Sequence, residues 1–115
     1  VRKICTSCIE KYVPSPQTLT YLKSILGEQA SAQTFYRGKG CAECGKRGYK
    51  GRIGVYEMLE VNEIIRSLII KRVSAEEIAK AAVANGMVPL IQDGFNKASG
   101  GITTIEEVLR VVRDA

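Results

Sequence analysis

Four cysteines are the residues here most capable of chemistry: Cys5, Cys8, Cys41 and Cys44, arranged as two Cys-x-x-Cys pairs separated by 32 residues. Two residues between ligands let a tight turn aim both sulfurs at one ion. Two such turns complete a tetrahedron of thiolates, the closed geometry of structural zinc. Soft sulfur ligands favour Zn²⁺, with iron as the lesser candidate. Two disulfides and two redox dithiols are the rival readings. The first suits a secreted chain, and no apolar signal region follows Val1-Arg2-Lys3-Ile4. The second lacks a βαβ context around either pair. One metal site on Cys5, Cys8, Cys41 and Cys44 is the expectation.

The rest of the composition narrows the chemistry further. The chain of 115 residues contains no histidine. That excludes every His-based general base, nucleophile pair and metal ligand set. No phosphate-cradling G-x-x-x-x-G-K-[ST] occurs. No catalytic residue is assigned, and none is expected to bind a nucleotide. The formal charge is +5, but a divalent ion on four thiolates carries about −2 and offsets part of it. The bases cluster near the second cysteine pair: Arg37, Lys39, Lys46, Arg47, Lys50 and Arg52, with Glu43 the acid among them. They suit a solvated face beside an anionic metal centre, an acidic membrane or protein surface, or nucleic acid, with Tyr36 and Tyr49 available to stack on bases.

The elements that must position these residues can be read from local signals. Ser15-Pro16 reads as an N-cap and first helical position, with Leu19, Leu22 and Leu26 at helical spacing. A helix of roughly Pro16 to Leu26 is thus inserted between the two cysteine turns. Gly45 is expected to turn the chain so that amides face sulfur. Arg52 to Leu59 reads as a strand, with Thr34 to Arg37 its partner. Beyond it the signals become helical. Asn62 and Ser74 are N-caps, and Ser74 with Glu77 makes a capping box. Gly86 ends that helix. Pro89 fits a first helical position, Gly94 marks close helix packing, and Gly100-Gly101 is a stop. Thr104 and Glu107 form a second capping box, followed by Ile105, Val108, Leu109 and Val112 on one stripe. Core packing is the expectation for these apolar stripes. No apolar run reaches the ~18–20 residues of a membrane span.

The expected fold class is α+β: a small four-cysteine zinc module with short strands and an inserted helix, residues 1–60, then an α-helical subdomain, residues 61–115. The chain opens on Val1 and reads as a piece of something longer.

Several signatures occur in order: Cys5-x-x-Cys8, Gly38-x-Gly40-Cys41-x-x-Cys44, Gly48-Tyr49-x-Gly51-Arg52-x-Gly54-x-x-Glu57, Ile65-Arg66-x-Leu68-Ile69, Gly86-Met87-x-x-Leu90-x-x-Asp93-Gly94-x-x-Lys97, and Gly101 through Arg110. On these residues the chain resembles the C-terminal portion of bacterial secretion ATPases, the motors of type II secretion and type IV pilus assembly. The resemblance implies a hexameric parent that uses ATP and Mg²⁺ at sites outside this chain. It implies a location at the cytoplasmic face of the inner membrane, and as partners the rest of the ATPase, neighbouring subunits and an inner-membrane platform protein. An acidic phospholipid surface is a further candidate for the basic run. A regulatory or docking module is the function expected of this piece. A free-standing zinc ribbon that binds nucleic acid is the alternative.

Overall fold

Short strands flank both cysteine pairs in the computed structural model, which describes residues 1–113. Strand β1 (Arg2–Ile4) leads into the first pair and β2 (Ile9–Tyr12) leaves it; β3 (Phe35–Gly38) leads into the second and β4 (Tyr49–Arg52) leaves it. They pair antiparallel as two ribbons, β1 with β4 and β2 with β3. Each cysteine turn therefore joins a strand of one ribbon to a strand of the other. In the β2–β3 register Glu10 lies opposite Arg37, and their side chains form an ion pair at 2.9 Å.

Helix α1 (Pro16–Leu26) fills the excursion between the cysteine pairs. Ser15 caps it by accepting from the Thr18 N–H at 3.2 Å, Pro16 occupies the first turn, and Gly27 stops it with φ of 71°. A short 3-10 turn, Gly27–Ala30, returns the chain toward β3. Helices α2 (Glu63–Ile70), α3 (Ala75–Ala84), α4 (Leu90–Ser99) and α5 (Ile105–Arg113) follow. The expected caps are present: Asn62 accepts from Ile65 N–H, Ser74 from Glu77 N–H, and Thr104 from Glu107 N–H. Each satisfies a donor the first helical turn leaves without a partner. Pro89 stands one residue earlier than expected, at the N-cap of α4.

One core cluster gathers Leu22, Ala30, Phe35, Phe95, Ala98, Ile105, Val108 and Leu109. Phe35 and Phe95 meet edge to face with centroids 5.9 Å apart. The core thus draws on α1, β3, α4 and α5, on both sides of residue 60. Gly94 lies on the α4 face against α5, and a Cβ there would collide with Val108 Cγ1. Helices α2 and α3 pack on each other and little on the other elements. They bury Ile65 and Ala82 but leave Ile64, Ile69, Ile70 and Val83 exposed. For this pair the apolar stripe is only partly core. The molecule is accordingly drawn out, with extents of 55 × 27 × 21 Å.

The expected strand from Arg52 to Leu59 does not form. Strand β4 ends at Arg52 and pairs with β1 instead of the Thr34–Arg37 segment; residues 53–61 run without regular structure. Ile53 still exchanges two main-chain bonds with Val1, each 2.9 Å, and the strand-like pairing stops there. Two bonds tie the segment to α4 in opposite senses: Tyr56 N–H donates to the Asp93 carboxylate at 2.9 Å, and the Glu57 carboxylate accepts from Leu90 N–H at 3.1 Å. No helix among the described residues is long and apolar enough to cross a membrane.

Candidate metal centre

The four sulfurs converge. The Sγ atoms of Cys5, Cys8, Cys41 and Cys44 all lie within 4.8 Å of one another. Cys5 and Cys41 are 3.7 Å apart, Cys41 and Cys44 3.7 Å, and Cys8 and Cys44 3.9 Å. A tetrahedron with metal–sulfur bonds of ~2.3 Å has sulfur–sulfur edges of about 3.8 Å. The separations match that edge, and the four cysteines can hold one metal ion. None is joined to another as a disulfide. Cys5 and Cys44 are buried, whereas Cys8 and Cys41 are half-buried; a closed site of this kind leaves no open position for a substrate.

Local backbone bonds shape the second turn. Lys46 N–H donates to Cys41 C=O at 2.8 Å and Arg47 N–H to Cys44 C=O at 3.3 Å. Both Gly45 and Lys46 adopt positive φ, 61° and 63°. Gly45 makes the expected turn, and amides on either side of it reach sulfur while its own does not. Gly45 N–H bonds Ala42 C=O, and the donors to sulfur are Gly40 to Cys8 at 3.3 Å, Cys41 to Cys44 at 3.3 Å and Gly48 to Cys44 at 3.2 Å. These donors tune the thiols. Burial pushes the Cys8 thiol up to about 12, against the single Gly40 N–H. At Cys44 burial acts upward too, but the N–H groups of Cys41 and Gly48, together with the neighbouring Cys41 and Cys8 thiols, bring the thiol down to about 6.

Gly38 and Gly48 close the site from outside. Their backbones touch, and a Cβ on either would strike the other's main chain. Gly48 C=O also accepts from Cys5 N–H at 2.9 Å, so the second turn holds the first. Ser7 Oγ donates to Glu43 at 2.5 Å between the turns. Both cysteine pairs and this contact share an offset of 36 residues. That equal spacing of Cys5 to Cys41 and Cys8 to Cys44 was the signal available for a symmetric two-turn site.

A second polar centre had no such signal. The Glu107 side chain is buried, 2% exposed, and pairs with Arg2 at 2.6 Å and Arg110 at 3.0 Å. It also accepts from Arg2 N–H at 2.9 Å. Burial raises its pKa, but the Arg110 and Arg2 hydrogen bonds prevail and hold it well below the carboxylate range. The Arg2 guanidinium lies 4.2 Å from the Tyr49 ring, and Tyr49 Oη is 2.8 Å from Thr104 Oγ1. Thr103 Oγ1 donates to Arg2 C=O at 2.7 Å, and Ile4 N–H donates to Ile102 C=O at 2.9 Å. The strand entering the first cysteine turn is thus fastened to the start of α5.

The basic residues Arg37, Lys39, Lys46, Arg47, Lys50 and Arg52 are all exposed. Arg37 is engaged by Glu10 and stands over the Tyr12 ring. The other five form no ion pair among the described residues.

Residues 1–110 match the family model described as type II/IV secretion system protein. The chain is 44% identical over 109 residues to the type IV pilus assembly ATPase PilB of Thermus thermophilus, covering 95% of this chain and 12% of that protein. It is 39% identical over 116 residues to type II secretion system protein E of Pseudomonas aeruginosa, covering 99% of this chain and 22% of the relative. With type II secretion system ATPase E of Vibrio cholerae the identity is 32%, over 100% of this chain and 22% of the relative. The chain therefore spans between 12% and 22% of the length of these curated relatives. Its sequence, matched along almost all its length, belongs to the type II/IV secretion system protein family.

Proposed function

We propose that this chain is a zinc-stapled docking and regulatory module, the C-terminal portion of a secretion-type ATPase that drives type II secretion or type IV pilus assembly. The observation that carries this is the four-sulfur cluster with tetrahedral edge lengths, 3.7 to 3.9 Å, in a chain of this family. Zinc supplies charge neutralisation and a rigid tetrahedral tie. The chain's own residues do the rest: Gly40, Cys41 and Gly48 present amides to sulfur, and the ribbons hold the two turns together. Ligands 36 residues apart make metal binding a contribution to folding.

The module is not itself a catalyst in this reading; ATP and Mg²⁺ act in the remainder of a hexameric parent at the cytoplasmic face of the inner membrane. The exposed apolar residues of the 56–70 segment, Tyr56, Met58, Leu59 and Val61 with Ile64 and Ile70, are where the rest of the ATPase or a neighbouring subunit packs. The basic run faces an acidic surface, on the inner-membrane platform protein or on phospholipid, in preference to nucleic acid. In this reading the metal tie positions α4 and α5, which share a core with α1 and β3 across residue 60, and α2 and α3 stand apart.

Metal analysis of the purified chain tests the assignment. About one zinc per chain is expected for one tetrahedral site, with loss of the metal in the Cys41→Ser variant. Two intact disulfides and no metal would overturn it.

A further inference from the structure

A groove of about 690 Å³ opens between α1 and the ends of β2 and β3, away from the metal cluster. Its size is that of a binding cleft. Tyr12, Pro14, Leu19 and Phe35 line it with apolar surface, and Phe35 is only 3% exposed. Thr20 and Thr34 also line it, as does Ser31, whose Oγ donates to Glu28 C=O at 3.0 Å and keeps its acceptor capacity. Two charged residues line it, Lys11 and Lys23, both exposed and with no carboxylate among the lining residues. Neither amine has an ion-pair or hydrogen-bond partner among the described residues. At the mouth, Val13 is 83% exposed.

We infer that this groove takes an extended segment of a partner protein, an apolar side chain seated over Phe35 and Leu19 and flanking carboxylates facing Lys11 and Lys23. The charge asymmetry selects an acidic segment, since an ammonium is a donor without a counterpart here. The hydroxyls offer partners to the segment's backbone. A concave site with a buried floor accepts a protruding side chain; a bilayer surface cannot enter it. The inference rests on the docking role proposed above, and it places the contact on a surface whose lining includes none of Lys46, Arg47 and Lys50.

The test is an amide-resolved NMR titration of the zinc-loaded chain. The probes are short peptides with a central leucine or phenylalanine flanked by aspartates, the same peptides with lysines for aspartates, and phosphatidylglycerol vesicles. Acidic peptides are expected to shift Val13, Thr20, Ser31 and Thr34, with the amides of residues 46 to 50 unmoved. Lys11→Glu with Lys23→Glu should weaken binding about tenfold or more, two surface charge contacts being lost and reversed. Val13→Asp, at an exposed position, should weaken it without altering the fold. Shifts confined to residues 46 to 50 would overturn the groove and leave the docking role standing. Equal binding of acidic and basic peptides, vesicles moving the same groove amides while peptides do not, or no response to any probe would also overturn it. Retained binding after zinc is removed, at the same amides, would support the groove while removing the staple from the docking role.

Discussion

The Glu107 carboxylate and the Arg2 guanidinium meet at 2.6 Å across 105 residues of chain. Glu107 stands at the third position of α5, where a capping box would turn its carboxylate back to the Thr104 N–H. It reaches Arg2 instead, accepting from both main chain and side chain. One carboxylate thereby fastens the first strand to the last helix.

Glu107→Gln should destabilise the chain by about 1.5–3 kcal/mol, the range for hydrogen bonds to a charged group. The pH dependence has a definite sign. The folded-state pKa lies below the unfolded one, so the contribution is complete above an unfolded value of about 4.3. It is lost as pH falls from there through the folded value. Thermal melts of wild type and variant, with bound zinc measured at each pH because thiolate protonation releases it, should differ by a constant amount near neutrality and by less as pH falls below about 4.3 while zinc is still bound. A gap that stays constant down through the carboxylate range would contradict the assignment.

Gly94→Ala sets two effects against each other. Helix propensity favours alanine by about 1 kcal/mol. The new Cβ collides with Val108, which is fully buried, and overpacking costs about 1–3 kcal/mol. Net destabilisation is expected. Adding Val108→Ala should restore part of the loss, giving a coupling above about 0.5 kcal/mol in a double-mutant cycle. Simple additivity would mean the two helices part freely at that point.

Cys41→Ser should release the metal and loosen β1 through β4, with α2 and α3 keeping their amide protection because they pack mainly on each other. The α4–α5 pair should weaken more than α2–α3, since Leu22 and Phe35 belong to its core. Hydrogen exchange reads each element separately. Uniform loss across all helices would show one cooperative unit and remove the division at residue 60.

Charge reversal at Lys46, Arg47 and Lys50 should weaken binding to anionic vesicles while zinc content stays at wild-type level. Each base near an anionic surface contributes about 1 kcal/mol, fading within a Debye length. Sedimentation with vesicles at one fixed salt concentration provides the measurement. Tighter, sequence-selective binding to an oligonucleotide would favour the nucleic-acid alternative.

What could be read in advance was local. Ser15, Asn62, Ser74 and Thr104 cap helices through bonds spanning three residues, and the cysteine pairs declare themselves by spacing. What could not be read was pairing at a distance. Strand β1 has three residues, too few for a period, and its partners are β4 and residues 102 to 107. The alternation after Gly54 suggested a strand, but pairing requires a neighbour; Tyr56 N–H turns to Asp93 instead, and Glu57 reaches out to the Leu90 N–H. The caps of α2 and α3 were legible, yet their exposed isoleucines were not distinguishable from core by spacing.

The separation between Arg2 and Glu107 also orders events during synthesis. The fourth sulfur, on Cys44, is translated about sixty residues before the α5 core residues Ile105, Val108 and Leu109. At ~5–20 residues per second that is an interval of roughly 3–12 seconds. The ion can be captured by a nascent chain whose first strand still lacks its final clamp. On the proposed staple, the early segment is tied before Ile105, Val108 and Leu109 exist to join Leu22 and Phe35 in their shared core.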